Sequence, residues 1–206
     1  MGPGSLDGGA MRRENTGGHL DFGFMDALTW VLADDAHADE VARLVNAAYR
    51  GAEGVIGWTS EAHLVRGRRI DSQGVRDLVR APAGCLLLAC LGARVRGCLY
   101  LQARDQGEAD LGLFAVHPQV QGRGIGARLM AHAEDWMRAH WQTVRVDITV
   151  ITERADLIAW YHRRGYRLTG EHRPFPYGDA RVGEPRRPDL RFAVMQKSLA
   201  RNSGVG

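Results

Sequence analysis

The sequence predicts a mixed α/β (α+β) fold, a mostly antiparallel sheet of six to seven strands with helices packed on both faces. Three observations carry this. Strand-like runs at 85–91, 95–103 and 109–116 are separated only by turn-forming residues, Leu91-Gly92-Ala93-Arg94 and Asp105-Gln106-Gly107, which describes an antiparallel meander. Segments with helical apolar spacing flank that meander, at 38–51 before it and 125–140 after it. Beyond them strand and helix patterns alternate again, so the sheet is mixed and needs helices on both faces.

In chain order, residues 1–25 are Gly-rich and polar without periodicity, and they are expected to be a disordered N-terminal extension or tag. A single domain is expected over 26–200, followed by a flexible C-terminus at 201–206. The first strand is predicted at 29–33. Asp34 or Asp35 can cap the helix that follows, whose apolar positions Ala38, Val41, Ala42, Leu44, Val45, Ala48 and Tyr49 end at Gly51. Residues 51–82 read as an irregular polar segment with a short helix at 72–80. After the meander come a glycine-rich loop, the helix 125–140, a strand at 144–151 and a helix at 154–164 stopped by Gly165. A strand at 166–171, a Pro-rich loop at 174–188 and a last strand at 190–198 complete the chain.

At 206 residues, with 45% hydrophobic and 25% charged content, one globular domain with a sizeable core is the expectation. A net charge of +3, with basic and acidic residues interspersed, is too mild to imply nucleic acid. No apolar run approaches the roughly 20 residues that cross a membrane, and no signal core is present, so a cytoplasmic protein is expected. Cys85, Cys90 and Cys98 are odd in number, lie in apolar surroundings and form no Cys-x-x-Cys pair, which reads as buried, reduced thiols. The eight histidines lack ligand spacing, and no metal is expected.

The chemistry-bearing stretch is Gln121-Gly122-Arg123-Gly124-Ile125-Gly126-Ala127, between an apolar strand and a helix. Glycines let the backbone approach a ligand closely, and a helix N-terminus offers unpaired N–H groups to an anion such as a pyrophosphate. The spacing lacks the last glycine of Gly-x-Gly-x-x-Gly, and the loop follows an antiparallel meander. Both features argue against a dinucleotide-binding oxidoreductase.

The order of elements, with Val116-His117-Pro118 before Gln121-x-x-Gly124-x-Gly126 and Ala159-Trp160-Tyr161-His162-Arg163-Arg164-Gly165-Tyr166 later, resembles the GNAT superfamily of N-acetyltransferases over roughly residues 29–199. The resemblance implies that acetyl-CoA is bound by Gln121, Gly122, Arg123, Gly124, Ile125, Gly126 and Ala127. It also implies a splay between the fourth and fifth strands that exposes the main chain of Phe114, Ala115 and Val116 to the pantetheine arm. A carboxylate on the fourth strand often serves as base, which points to Asp110, with Glu108 on the same face as second candidate or a bridging water in between. Tyr161 falls where the family places a proton donor for the departing thiolate. Arg154 stands where relatives carry a cofactor-contacting Asn; it could instead reach a phosphate, or be a solvated charge at a helix start.

The acceptor is expected between 51–71 and 174–188, beside Trp58, Trp160, Phe175 and Tyr177, with Glu53, Glu61, Asp71 or Asp179 holding a cationic amine. The implied function is direct acetyl transfer to the primary amine of a small molecule. Acetylation of a protein or peptide amine and a non-catalytic acyl-CoA binding module stay open as alternatives. Exposed last strands leave a homodimer open as well.

Overall fold

A computed structural model of the chain describes residues 27–51, 57–179 and 182–200. The expectations for both termini, and for Glu53, lie outside these residues. In chain order the elements are β1 (Leu28–Leu32), α1 (Ala38–Arg50), β2 (Val65–Arg66), α2 (Ser72–Val79), β3 (Gly84–Leu91), β4 (Arg94–Ala103), β5 (Glu108–Val116), α3 (Ile125–Trp141), β6 (Arg145–Ile151), α4 (Ala155–His162), β7 (Arg167–Pro174), β8 (Glu184–Pro185) and β9 (Arg191–Ser198).

Strand β3 shows how the layers arise. Its residues Leu87 and Ala89 pack into one core, whereas Leu86, Leu88 and Cys90 pack into another, as a period of two requires when both faces are covered. The first core takes the apolar stripe of α3, Ile125, Leu129, Met130, Ala133 and Met137, together with α4 residues such as Leu157 and Tyr161. The second takes α1, through Val41, Leu44, Val45 and Ala48, and Val75 of α2. Asp34 caps a short 3-10 turn, Asp35–His37, that runs into α1, and Asp71 caps α2 by accepting a 2.8 Å bond from the Gly74 amide.

The main sheet has seven strands in the order β1-β3-β4-β5-β6-β9-β7. All neighbours are antiparallel except β5 and β6, which run parallel. Their pairing is short. It runs from Glu108 opposite Arg145 to Leu111 opposite Ile148 and then stops, although β5 continues to Val116 and β6 to Ile151. The splay implied by the resemblance is therefore present at the C-terminal half of β5.

A bulge starts it. Cys98 faces Ala115 and Tyr100 faces Gly112, so β5 spends one residue more than β4 across this interval. Leu113 there has φ +41°, a strained conformation worth roughly 1–3 kcal/mol for a non-glycine residue. The Tyr49 hydroxyl of α1 donates to the Phe114 carbonyl at 3.1 Å and helps hold the bulge.

Residues 57–71 and 174–188, read as loops, contain a two-stranded ladder of β2 with β8 that joins them. Two residues per strand carry no periodicity, so nothing in the sequence marks it. Gly183 permits the close approach. It has φ +94°, and a Cβ there would lie 2.6 Å from the Arg66 carbonyl. Strand β7 also runs three residues beyond the expected 166–171, to Pro174.

Candidate active site

The splay opens onto a cleft of about 270 Å³ whose floor is the glycine loop and the first turn of α3. Gly122 and Gly124 have φ +79° and +81°, which turns the chain into the helix without a Cβ in the way. No side chain caps the 17-residue α3, so its first amides are left to a ligand. Gly126 marks the closest approach. A Cβ there would sit 3.4–3.6 Å from Phe114, Val116 and Trp160 and occupy space in the cleft. An extended chain ending in an anionic group fits this cradle, and Gly122, Gly124, Ile125, Gly126 and Ala127 line it.

Gln121 lines the cleft too, but its amide works inside the protein. Oε1 accepts from the Trp58 amide at 2.7 Å, while Nε2 donates to the Val116 carbonyl at 2.8 Å and to Thr59 Oγ1 at 3.0 Å. It thereby ties the segment after α1 to the end of β5. Trp58, 45% exposed, leans on Trp160 with ring centroids 6.2 Å apart, forming a rim over the cleft.

Tyr161 of α4 lies at the bottom of the splay, buried, with its ring against Phe114, Trp160 and Tyr166. Burial pushes its phenol well above the ordinary value of 10, so the proton is held firmly, and a matched-pKa transfer to a thiolate is not what this environment favours. Hydrogen-bond donation is. Among the described residues its hydroxyl makes no hydrogen bond.

Beyond Phe114 and Tyr161 the splay opens into a second cavity of about 140 Å³. Tyr49, Glu61, Phe114, Leu157 and Tyr161 border both spaces, so the two meet at the opened strand edge. Glu61 is the carboxylate at this junction. Desolvation raises its pKa above 4.5, opposed by Arg50, Arg69 and Arg154, with Arg50 Nη1 at 3.7 Å. Phe175 and Phe192 stack on the far wall, 5.5 Å apart between centroids.

Several expected site residues lie elsewhere. Glu108 and Asp110 sit at the paired end of β5 and border neither cavity. Glu108 pairs with Arg145 and with Arg104 at 3.2 Å, and Asp110 lies 3.3 Å from Arg104. Arg154 is 3% exposed, and its guanidinium is occupied by the carbonyls of Trp58, Thr59 and Ser60 and by the carboxylate of Asp156. The phosphate role is replaced by a brace on the segment that carries Glu61. Tyr177 borders neither cavity. Its hydroxyl donates to the Arg187 carbonyl and accepts from the Leu190 amide, closing the 174–188 segment on itself. Asp71 and Asp179 border neither cavity, Ala115 is buried toward α1, and Arg123 is not among the lining residues.

Tyr49, Thr59, Arg69 and Arg164 also line the site, beyond the residues expected from the sequence. The Arg164 guanidinium stacks 3.4 Å from the Trp160 ring centroid and reaches the cleft beside Gly126 and Ala127. Its place three residues after Tyr161 in the Arg163-Arg164-Gly165 run was a usable signal. Tyr49 gave none, because it completes the α1 stripe and reads as core.

Among the described residues, no helix is long and apolar enough to cross a membrane, and no three His, Cys, Asp or Glu side chains are grouped to hold a metal ion.

A glycine loop feeding an uncapped helix, next to a bulged strand that parts from its parallel neighbour, defines a class of enzyme that takes an acyl group from coenzyme A. The acetyltransferase (GNAT) family profile matches residues 38–166, more than half of the chain, and the chain belongs to that family. Its acyl donor is acetyl-CoA. A search of curated proteins finds no match.

Among solved structures, the ribosomal-protein-S18-alanine N-acetyltransferase from Escherichia coli is similar with TM-score 0.61 and 13% identity, over 87% of this chain and 98% of that one. YncA from Salmonella typhimurium, solved with its cofactor acetyl-CoA, is similar with TM-score 0.60 and 20% identity, over 86% and 96%. Ard1 from Thermoplasma volcanium is similar with TM-score 0.62 and 18% identity, over 84% and 99%.

Proposed function

We propose that the protein acetylates the primary amine of a small molecule by direct transfer. The observation that carries this is the junction at Glu61, where the cofactor cleft meets a chamber of about 140 Å³. That chamber has about half the volume of the cofactor cleft, about 140 against 270 Å³, and suits a small acceptor better than a peptide.

Acetyl-CoA supplies an acetyl group activated as a thioester, so transfer breaks a C–S bond and forms a C–N bond. Gly122, Gly124, Ile125, Gly126 and Ala127 would hold the pyrophosphate on helix amides, with Arg164 adding positive charge at the rim. The main chain of 114–116, parted from β6, would align the pantetheine arm through its N–H groups, since the Phe114 and Val116 carbonyls already accept from Tyr49 and Gln121. An alkylamine with a pKa near ~10 arrives protonated, and Glu61, directly or through a water, takes that proton. Its raised pKa makes it a stronger base than an ordinary carboxylate. Tyr161 donates a hydrogen bond to the departing thiolate, which then takes its proton from solvent.

Direct transfer is supported by the state of the thiols. Cys85 and Cys98 are pushed up to about 12 by burial, and none of the three cysteines borders either cavity. The test is thiol release from acetyl-CoA over a panel of amino acids, polyamines, aminoglycosides and peptides. Turnover of a small amine is the expected result. Turnover of peptide amines alone would assign the chain to protein acetylation, and binding of acetyl-CoA without thiol release from any amine would make it a non-catalytic module.

A further inference from the structure

Three charged side chains border the acceptor chamber, Arg50, Glu61 and Arg69. The two arginines are used differently. Arg50 Nε donates to the Gly67 carbonyl at 2.8 Å and Nη2 to the Val182 carbonyl at 3.1 Å, and its charge faces Glu61. It is a clamp that fastens two loops to α1.

Arg69 is anchored only through its main chain. Its amide donates to Asn46 Oδ1 at 2.6 Å, and the same Asn46 holds the Ile70 carbonyl through Nδ2 at 2.6 Å. Its guanidinium lies 5.5 Å from the Tyr49 ring centroid and, among the described residues, makes no hydrogen bond or ion pair. Half-buried and with its nitrogens still accessible, the fork holds five N–H donors open to an acceptor that something else must supply. Tyr49 cannot, because its hydroxyl is turned to the Phe114 carbonyl and its face offers only the ring quadrupole.

The charge balance points the same way. Two guanidiniums and one carboxylate leave the chamber with a surplus of one positive charge. A simple alkylammonium or a polyamine would enter against that surplus. An amine that carries its own compact anion would not, since its ammonium can approach Glu61 while its anion fills the fork of Arg69. Val65, Phe175 and Phe192 supply an apolar part of the remaining wall that suits an uncharged side chain.

We infer that the acceptor is a small apolar amino acid or its close analogue, an amine bearing a carboxylate that Arg69 binds. This rests on the small-amine reading of the site. The geometry makes Arg69 a specificity residue and leaves the chemistry to Glu61 and Tyr161. A phosphonate would satisfy the same fork and is separated from a carboxylate by assay.

The experiment measures thiol release from acetyl-CoA by the full chain with four matched acceptors: leucine, leucinamide, 3-methylbutylamine and the aminophosphonate analogue of leucine. Leucine is expected to exceed leucinamide and 3-methylbutylamine in kcat/KM by about ten- to a hundredfold, the range of a charge-assisted hydrogen bond pair. Arg69→Gln is expected to remove that preference by raising KM for leucine far more than it raises KM for the two uncharged-tail amines. A phosphonate preferred over leucine moves the assignment from carboxylate to phosphonate. The inference is overturned if the uncharged-tail amines are acetylated as well as leucine, or if Arg69→Gln slows all acceptors equally; both results leave the small-amine reading standing. If none of the four is acetylated while peptide amines are, that reading falls and the inference falls with it. A thermal melt of Arg69→Gln matching wild type excludes loss of fold as the cause.

Discussion

The two ends of β5 contrast in what they do with charge. At the N-terminal end the strand is paired on both edges, and Glu108 and Asp110 are met by Arg104 and Arg145. At the C-terminal end it is bulged and parted from β6, and the carboxylate that arrives there, Glu61, comes from a different segment. Desolvation raises the pKa of both Asp110 and Glu61 against nearby guanidiniums, so the difference is access: Asp110 borders neither cavity, whereas Glu61 borders both and is placed to take a proton. Position on the expected strand is therefore a poor guide to the base, and access to the splay is a better one.

The largest expected effect breaks the open end. Glu61→Gln should lower kcat/KM by about 10²–10⁴-fold in the thiol-release assay, the usual contribution of a general base. Tyr161→Phe keeps the ring packing and should lower kcat by roughly ten- to a hundredfold with KM for acetyl-CoA little changed, because the lost hydrogen bond matters most as charge develops on sulfur. Gly126→Ala adds a methyl in ordinary contact with Phe114, Val116 and Trp160. Calorimetry should find acetyl-CoA bound about tenfold more weakly, while a melt finds the protein equally or more stable, since alanine favours helix by up to ~1 kcal/mol. At the closed end, Asp110→Asn should change kcat/KM by less than about threefold, because it removes a partly exposed ion pair worth about 0–1 kcal/mol. A loss there comparable with that of Glu61→Gln would restore Asp110 as the base.

The same contrast explains what could be read from the sequence. The glycine loop, the meander and the amphipathic helices are local patterns, and each appears within a residue or two of where spacing puts it. The floor of the cofactor cleft is a glycine loop and one helix turn, so those residues are contiguous and readable, whereas its walls come from α1, the 57–61 segment and α4. The acceptor chamber is built by side chains from α1, the 57–71 segment, α4 and the 174–188 segment, brought together by a two-residue ladder with no sequence signature. Arg154 shows the limit from the other side. A charged residue at a helix start reads as solvated or phosphate-binding, yet three carbonyls from a segment more than 90 residues away enclose it.

Proton removal from the acceptor turns on Glu61, and the pH dependence of kcat/KM tests that role most directly. Desolvation lifts the Glu61 carboxyl above 4.5, and only the carboxylate can accept a proton. Activity should therefore fall as pH drops through that lifted value, above where an ordinary glutamate titrates. Tyr161, held well above 10, should add no basic limb near neutrality. The prediction is an acid limb in the wild type that is absent from the residual activity of Glu61→Gln. The same limb at the same pH in both proteins would contradict it.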